Sequence, residues 1–297
     1  MQKNIIHCNL CGRKCNAKRT NETNIGGYCK MSLTPMIAHT MLHMWEEPCI
    51  SGINGSGTVF FSGCSLRCVF CQNWEISHEN YGKAISIERL ADVFYELEHK
   101  GAHNINLVNP THYVHSIVEA LKIYKPNIPV VYNSGGYDDI DTIKMLKGYV
   151  DVYLMDFKYI STEKSEKYSK AANYPEVAQN CILECIKQIG ETVIDSDGLM
   201  VKGVIIRHLV LPASTSEAMK IIDWVKTNAF NAYFSLMSQY TPHKNAYNFK
   251  ELSRKVTSRE YNKVLNYLID SNIKNVYIQE LSSSNKDYVP KFTLNGI

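Results

Sequence analysis

Three cysteines stand within eight positions of the segment "SGCSLRCVFCQN", which covers residues 62–73: Cys64, Cys68 and Cys71. After Cys71, the next cysteine along the chain is Cys181. Closely spaced thiolates are metal ligands, but tetrahedral zinc and iron–sulfur cubes ordinarily take four protein ligands. Because this group is one ligand short, neither a structural zinc site nor a ferredoxin-type cube fits it well.

A second group of four cysteines lies in "CNLCGRKC" and "GGYC", near the start of the chain: Cys8, Cys11, Cys15 and Cys29. Four thiolates at this range can close a tetrahedral zinc site or hold a fully ligated [4Fe–4S] cluster. We therefore expect a second metal centre here and leave the choice between zinc and iron–sulfur open. An unmetallated, redox-labile segment is the alternative.

The remaining three of the ten cysteines are predicted to be core residues. Cys181 and Cys185 lie four positions apart on a predicted helix, in line with other apolar side chains, and Cys49 precedes the first predicted barrel strand. Without an apolar leader at the start of the chain, this cysteine content favours metal ligands and core positions over a disulfide framework.

From Gly57 onward the sequence alternates between strand and helix patterns. Strands are predicted at 58–63, 104–108, 129–133, 150–157, 201–210, 231–237 and 275–279. Helices are predicted at 86–101, 111–124, 139–147, 175–189, 215–228 and 257–271. Such alternation implies parallel pairing with right-handed crossovers, so we predict an α/β protein with a partial (β/α)6 TIM-like barrel. A doubly wound open sheet is the alternative, because strand order cannot be read from the sequence.

The barrel is assigned to residues 49–297, and residues 1–48 form a small cysteine-rich N-terminal module. The first cysteine group follows the first predicted strand directly. It should therefore lie in a loop at that strand's carboxyl end, where the active sites of barrel enzymes are found.

Composition excludes several classes of protein. Hydrophobic residues make up 45% and charged residues 21% of the 297 positions, which suits a globular core. The net charge of +3 comes without a basic stripe, so we expect no nucleic-acid partner. The longest apolar run, near "GVIIRHLVLP", is too short to span a bilayer, and the start "MQKNIIHCNL" is unlike a signal peptide. We expect a cytoplasmic protein that does not associate with membranes.

The C-x3-C-x2-C spacing resembles the signature of the radical S-adenosylmethionine (SAM) superfamily. The resemblance implies that three thiolates hold a [4Fe–4S] cluster whose fourth iron binds SAM. One electron from the cluster would cleave SAM to methionine and a 5′-deoxyadenosyl radical, which removes a hydrogen atom from substrate. The resemblance also places Phe70 near the adenine of SAM and Asn73 beside SAM. Ordinary loop packing is the alternative role for Phe70.

"CVFCQN" followed by Trp74 resembles the cluster loop of the pyruvate formate-lyase activating enzyme branch. Further segments, among them "GSGTVFFSGC", "GAHNINLVNPTHY" and "SLMSQYTP", look like an uncharacterised subfamily of that branch and extend the resemblance over about residues 46–242. This resemblance implies a glycyl loop of a partner enzyme as one candidate substrate.

The resemblance also nominates cofactor-binding residues by position, from "YNSGGY", "DFK", "IIRHLVLP" and the residue after "QYTP": Asn133, Ser134, Asp156, Lys158, Arg207 and His243. Asp156 and Lys158 are two positions apart on a strand, so both side chains point to the same face. The alternatives are a plain ion pair for these two, a structural pairing for Arg207 and a surface-loop position for His243.

One segment departs from the superfamily pattern. Many members carry a Gly-Gly-Glu-Pro motif after the second strand, where it holds the amino group of the cofactor, but this chain has "LVNPTHY". We expect backbone carbonyls, Asn109 or Thr111 to substitute for it.

The sequence thus predicts a radical SAM oxidoreductase, similar to activating enzymes, that takes electrons from a one-electron donor such as flavodoxin or ferredoxin. Its substrate would be a protein, a peptide or a small molecule. The alternative from another class is a non-catalytic iron–sulfur or zinc metalloprotein. No catalytic acid–base pair is expected, because hydrogen-atom abstraction does not need one.

Overall fold

The computed structural model describes residues 5–281 and 291–297 of the chain. The strands in this part are β1 (Ile6–Cys8), β2 (Ala17–Arg19), β3 (Asn24–Ile25), β4 (Met36–His43), β5 (Ser56–Phe61), β6 (Lys83–Ala84), β7 (Ile105–Val108), β8 (Val130–Ser134), β9 (Val152–Asp156), β10 (Val193–Ile194), β11 (Met200–Leu209), β12 (Tyr233–Met237) and β13 (Val276–Ile278). The helices are α1 (Pro48–Ser51), α2 (Trp74–Ser77), α3 (Ile87–His99), α4 (Val114–Ile123), α5 (Ile140–Met145), α6 (Thr162–Ser169), α7 (Tyr174–Ile189), α8 (Thr215–Asn228) and α9 (Ser258–Asp270). Short 3-10 turns cover Thr111–Tyr113, Lys244–Asn248 and Lys250–Leu252.

The large sheet has the order β13-β12-β11-β9-β8-β7-β5-β4-β6. Seven strands in the described residues run parallel to one another and pair in chain order: β5, β7, β8, β9, β11, β12 and β13. A doubly wound sheet reverses its strand order at a switch point. The order here does not reverse within the described residues, so that alternative is wrong and the prediction of an α/β fold with a parallel sheet is confirmed.

The helices between the strands bury one apolar face, as their sequence period predicts. In α3, which begins at Ser86 with a side-chain cap, Leu90, Val93, Phe94 and Leu97 are buried. In α7 the buried face includes Cys181 and Cys185, which confirms that these cysteines are core residues. Cys49 is also buried, as expected. In the described part of the chain, none of the helices combines the length and apolar character needed to cross a bilayer.

The start of the chain forms a separate antiparallel sheet of β1, β2 and β3. The next strand, β4, instead pairs with β5 at the edge of the large sheet. Residues from Met36 onward therefore pair with the large sheet, about a dozen residues before the predicted domain boundary at residue 48. The strand escaped prediction because buried His39, Thr40 and His43 interrupt the apolar pattern of "MIAHTMLH".

Candidate active site at the carboxyl ends of the parallel strands

One cavity of about 530 Å³ lies inside the curve of the large sheet. Each of the seven parallel strands contributes a lining residue: Phe60, Val108, Asn133, Asp156, Arg207, Ser235 and Tyr277. A flat sheet could not place all of these around one space, so the sheet curls into a partial barrel. The pairing of strands does not close the sheet within the described residues.

The three cysteines Cys64, Cys68 and Cys71 line the same cavity, on the loop that follows β5. This loop turns at Gly63, whose φ of +86° favours glycine, and a Cβ there would come within 2.2 Å of Met31 Cγ. The Asn109 side chain donates a hydrogen bond to the carbonyl of Gly63 and so ties this loop to the end of β7. The loop is thus fixed at the carboxyl ends of the strands, as predicted.

Each sulfur of this group accepts a hydrogen bond. The Leu66 amide donates to Cys64 Sγ over 3.3 Å, and the Ser77 hydroxyl donates to Cys71 Sγ over 3.2 Å. The sulfur of Cys68 accepts from the Ser169 hydroxyl over 3.0 Å. Hydrogen bonds to the ligand sulfurs are one of the means by which proteins set the potential of an iron–sulfur cluster.

Burial disfavours the deprotonated form of the cysteines at this site. Burial first, and then the neighbouring cysteines, raise the pKa of Cys64 and raise that of Cys71 to about 12. Cationic iron removes this cost, because metal binding deprotonates its thiol ligands. In the described residues, no three His, Cys, Asp or Glu side chains are close enough together to hold one metal ion. A cluster places a different demand on its ligands, because each thiolate binds a separate iron atom.

A charged network lines the same cavity as these thiols. Lys158 Nζ is 2.5 Å from Asp156 Oδ2, and Arg207 Nε is 2.9 Å from Asp156 Oδ1. Burial alone would raise the pKa of Asp156, but the two cations outweigh it and the net shift is downward. Burial alone would lower the pKa of Lys158, but the Asp156 carboxylate turns the net shift upward. All three groups are therefore charged at neutral pH.

Arg207 has further partners that the sequence did not reveal. Its guanidinium donates to Glu46 Oε2 over 2.9 Å and to Asn133 Oδ1 over 2.6 Å. Asn133 in turn donates to Glu46 Oε1 over 3.1 Å. Glu46 lies between β4 and α1, in the segment that the sequence assigned to the N-terminal module, and nothing in "WEEPC" pointed to the cavity.

Most of the predicted cofactor-binding residues line the cavity, and two do not. Those on its wall are Phe70, Asn73, Asn109, Asn133, Ser134, Asp156, Lys158 and Arg207. Phe70 also packs edge-on against Tyr159, Tyr168 and Tyr240, so its predicted loop-packing role is present as well. Thr111 lines a different, smaller pocket, and His243 lies outside both. The structure therefore does not bring these two together with the others.

The smaller pocket lies beside the N-terminal cysteines, and its walls include all four: Cys8, Cys11, Cys15 and Cys29. A fully buried guanidinium, that of Arg19, donates to Cys8 Sγ over 3.3 Å and to the carbonyls of Met31, Ser32 and His112. Burial raises the pKa of Cys11 and of Cys29. A buried cation next to these sulfurs suits a set of metal-bound thiolates, whose net charge is negative.

Comparison with known proteins decides the family. The family model described as the radical SAM superfamily matches residues 58–225, more than half of the chain. The chain belongs to the radical SAM superfamily. MJ0674, an uncharacterised protein of Methanocaldococcus jannaschii, is 33% identical over 288 residues, which cover 93% of this chain and 78% of that protein.

Two crystal structures of SuiB from Streptococcus suis are also similar. The one bound to S-adenosylmethionine has a TM-score of 0.51 and 12% identity, and it covers 73% of this chain and 48% of SuiB. The one bound to the precursor peptide SuiA has the same TM-score and identity, and it covers 73% of this chain and 46% of SuiB. The chain thus spans about half the length of SuiB, and at this identity the likeness shows the fold alone.

Radical SAM proteins are enzymes, and membership implies a [4Fe–4S] cluster and SAM. The residues present fit these groups: three hydrogen-bonded cysteines and a charged network line one cavity that is large enough for a cofactor-sized ligand. Cys64, Cys68 and Cys71 would hold the cluster, which when reduced supplies the electron that cleaves SAM. Assignment to the activating-enzyme branch stays a prediction.

Proposed function

We propose that this radical SAM enzyme cleaves SAM reductively at a cluster held by Cys64, Cys68 and Cys71, and that it oxidises a substrate bound in the same cavity. One electron converts SAM into methionine and a 5′-deoxyadenosyl radical. That radical takes a hydrogen atom from a C–H bond, giving 5′-deoxyadenosine and a substrate radical. The observation that carries the proposal is the opening of all three thiols into the one cavity that seven strands enclose.

The substrate is proposed to be a peptide, a small molecule or a glycyl loop of a partner protein. The crystal structure of SuiB with a precursor peptide supports a peptide, because SuiB has a similar fold. The resemblance of the cluster loop to activating enzymes supports the glycyl loop. A glycyl radical on a partner protein, seen by electron paramagnetic resonance, identifies an activating enzyme, whereas turnover of a soluble compound identifies a stand-alone enzyme.

Anaerobic reconstitution tests the proposal directly. The reconstituted protein with dithionite and SAM should release 5′-deoxyadenosine, and Cys68→Ala should reduce this release to background because one iron loses its ligand. Cys181→Ala is the matched control, since it removes a buried thiol of the helical core and should leave the release unchanged. Zinc as the bound metal, with no nucleoside product, would instead support a non-catalytic metalloprotein.

We also propose that the N-terminal cysteines hold a second [4Fe–4S] cluster that passes electrons from a donor such as flavodoxin or ferredoxin to the first. The position of the four cysteines supports this role. Arg13, between Cys11 and Cys15, donates to the carbonyl of Ser65 over 2.9 Å, and Ser65 adjoins Cys64. Ser65 also lines the pocket of the N-terminal cysteines. A zinc ion there would only stabilise the segment.

A further inference from the structure

The cavity has a polar end that the cofactor assignment leaves without a role. The segment between β4 and α1 contributes Glu46, Glu47 and Pro48 to the cavity wall, and His43 at the end of β4 lines it as well. Glu46 accepts hydrogen bonds from Arg207 and from Asn133. The cation of Arg207 donates to Glu46 and to Asp156 rather than to Glu47, so the second glutamate is not part of that pairing.

Three buried acceptor atoms here have no hydrogen-bond partner among the described residues: Glu47 Oε2 and His43 Nδ1 belong to the cavity wall, and Asn106 Oδ1 lies beside Glu46, behind it. Glu47 is 7% exposed, His43 is 8% exposed and Asn106 is 0% exposed. Native proteins pair nearly all of their buried polar groups, because an unpaired one costs stability. The side-chain NH2 of Asn106 donates to Glu46 over 3.1 Å. This bond fixes the orientation of the amide, and the amide oxygen remains without a donor.

These atoms call for hydrogen-bond donors. An amide oxygen and a carboxylate oxygen can only accept, and a histidine nitrogen accepts when the proton is on the other nitrogen of the ring. Two cations, Lys158 and Arg207, and three acids, Glu46, Glu47 and Asp156, lie together on this part of the cavity wall. Both cations are already paired with Asp156. The remaining acidity favours a cationic ligand.

An ammonium group satisfies both requirements, since it has three donors, no acceptor and one positive charge. We infer that the polar end of the cavity binds a primary ammonium group of the substrate, with Glu47 as its counter-ion. The inference rests on the proposed function in assuming that the substrate enters this cavity. Burial raises the pKa of Glu47, and a bound cation compensates the cost of its charge.

Calorimetry on the full-length protein tests the inference without turnover. The probes are 1,5-diaminopentane, its neutral isostere 1,5-pentanediol, and the peptide Gly-Lys-Gly. Wild type should bind the diamine and not the diol, and Glu47→Gln should weaken the binding of the diamine at least tenfold by removing a charge-assisted hydrogen bond. Glu163→Gln, the same change at an exposed position of α6, should bind the diamine like wild type.

Each outcome of this comparison is decisive. Binding of both amines assigns the site to the ammonium group itself, and binding of the diamine without the peptide restricts it to small-molecule amines. If Glu47→Gln does not fold, Glu47→Asp keeps the charge and should retain the preference for diamine over diol. Equal binding of diamine and diol by wild type, or unchanged diamine affinity in folded Glu47→Gln, overturns the inference.

SAM itself carries an ammonium group, so its affinity is measured on the same variants. The inference expects Glu47→Gln to change the affinity for SAM less than twofold. A tenfold loss of SAM affinity, with no effect on the diamine, would assign Glu47 to the cofactor and overturn the inference. Release of 5′-deoxyadenosine by wild type tests the proposed SAM cleavage separately from the ammonium site at Glu47. Without that release the proposed function fails, whereas release without diamine binding removes the inference alone.

Discussion

A buried guanidinium joins three strands to the segment that follows β4. Arg207 on β11 contacts Asp156 on β9 and Asn133 on β8, and it also contacts Glu46. These contacts fix the wall that faces the cysteines, because each partner comes from a different element. Arg207 therefore has the structural pairing that the sequence offered as its alternative role, and it lines the cavity as well.

Removing this cation leaves the buried carboxylate of Glu46 without a cationic partner and leaves Asp156 with Lys158 alone. We expect Arg207→Met to lower the free energy of unfolding by about 3–5 kcal/mol, as for other broken buried ion pairs. Lys144→Met is the control, because its pair with Asp141 is exposed and should be worth no more than about 0.5 kcal/mol. Urea unfolding of both variants measures the difference. Equal losses would show that the Arg207 network does not stabilise the wall.

Only some of the residues that line the cavity could be predicted from the sequence. The cysteine spacing and "DFK" are short motifs, and the residues they nominated do line the cavity. Glu46 and Glu47 belong to no such motif, because they reach the cavity through the pairing of β4 with β5. That pairing joins positions distant in sequence, and no local pattern records it. Thr111 and His243 were nominated by loop position alone, and loops do not fix where a side chain lies.

Among the elements, the loops after β5 and β8 each depend on a glycine with a positive φ and with other atoms packed close to it. Gly136, after β8, has a φ of +73°, and a Cβ there would lie 2.2 Å from the backbone carbonyl oxygen of Asp156. Its amide donates to the Ser134 hydroxyl over 3.0 Å, which closes the turn beside the cavity. Because the neighbour is backbone of a central strand, it cannot move aside as a flexible side chain would.

Gly136→Ala should therefore cost more than the backbone conformation alone explains. We expect a loss of about 2–4 kcal/mol, from a left-handed residue and an overpacked contact together. Gly148→Ala separates the two effects, since Gly148 has a φ of +85° with nothing within 4 Å of the added Cβ. It should lose only about 1 kcal/mol. Thermal unfolding of the two variants is the measurement, and similar losses would refute the steric argument.

Most helices and strands of the barrel could be predicted because the spacing of their apolar residues matches the side chains that are buried. The seven parallel strands and the helix α3 show apolar runs or stripes within a few residues of their observed bounds, whereas the two-residue strands β6 and β10 were not predicted. The helix α6 was missed because "TEKSEKYS" is almost wholly polar and buries mainly Ser165, Tyr168 and Ser169. Its end nonetheless matters to the site, since Ser169 donates to Cys68.

For the whole molecule, the main feature is that the N-terminal sheet covers the same end of the barrel as the cluster loop. Arg13 contacts Ser65 after β5, Arg19 contacts His112 after β7, and the Gly12 amide donates to Tyr137 after β8 over 3.0 Å. The four N-terminal cysteines are thus held over the carboxyl ends of three neighbouring strands. Their sequence spacing predicted a metal centre, but it gave no indication that these cysteines lie next to the loop that carries Cys64, Cys68 and Cys71.

This placement makes the proposed relay testable by changing the electron donor. The double variant Cys11→Ser/Cys15→Ser should lower the iron content of the reconstituted protein from about eight to about four atoms per chain, because an iron–sulfur cube needs its cysteine ligands. With reduced flavodoxin, release of 5′-deoxyadenosine should fall at least tenfold. With dithionite, a small reductant that can reach the first cluster directly, release should stay near that of the wild type.

The comparison of donors distinguishes a relay from a merely structural centre. Loss of activity with both donors would mean that the N-terminal cysteines hold the cluster loop in place through contacts such as Arg13 with Ser65. Equal activity with both donors would mean that electrons enter by another route. One zinc per chain at these cysteines in the wild type would also exclude the relay, because zinc has no redox chemistry in proteins. Only a donor-dependent loss, accompanied by the fall in iron, supports electron transfer through the N-terminal sheet.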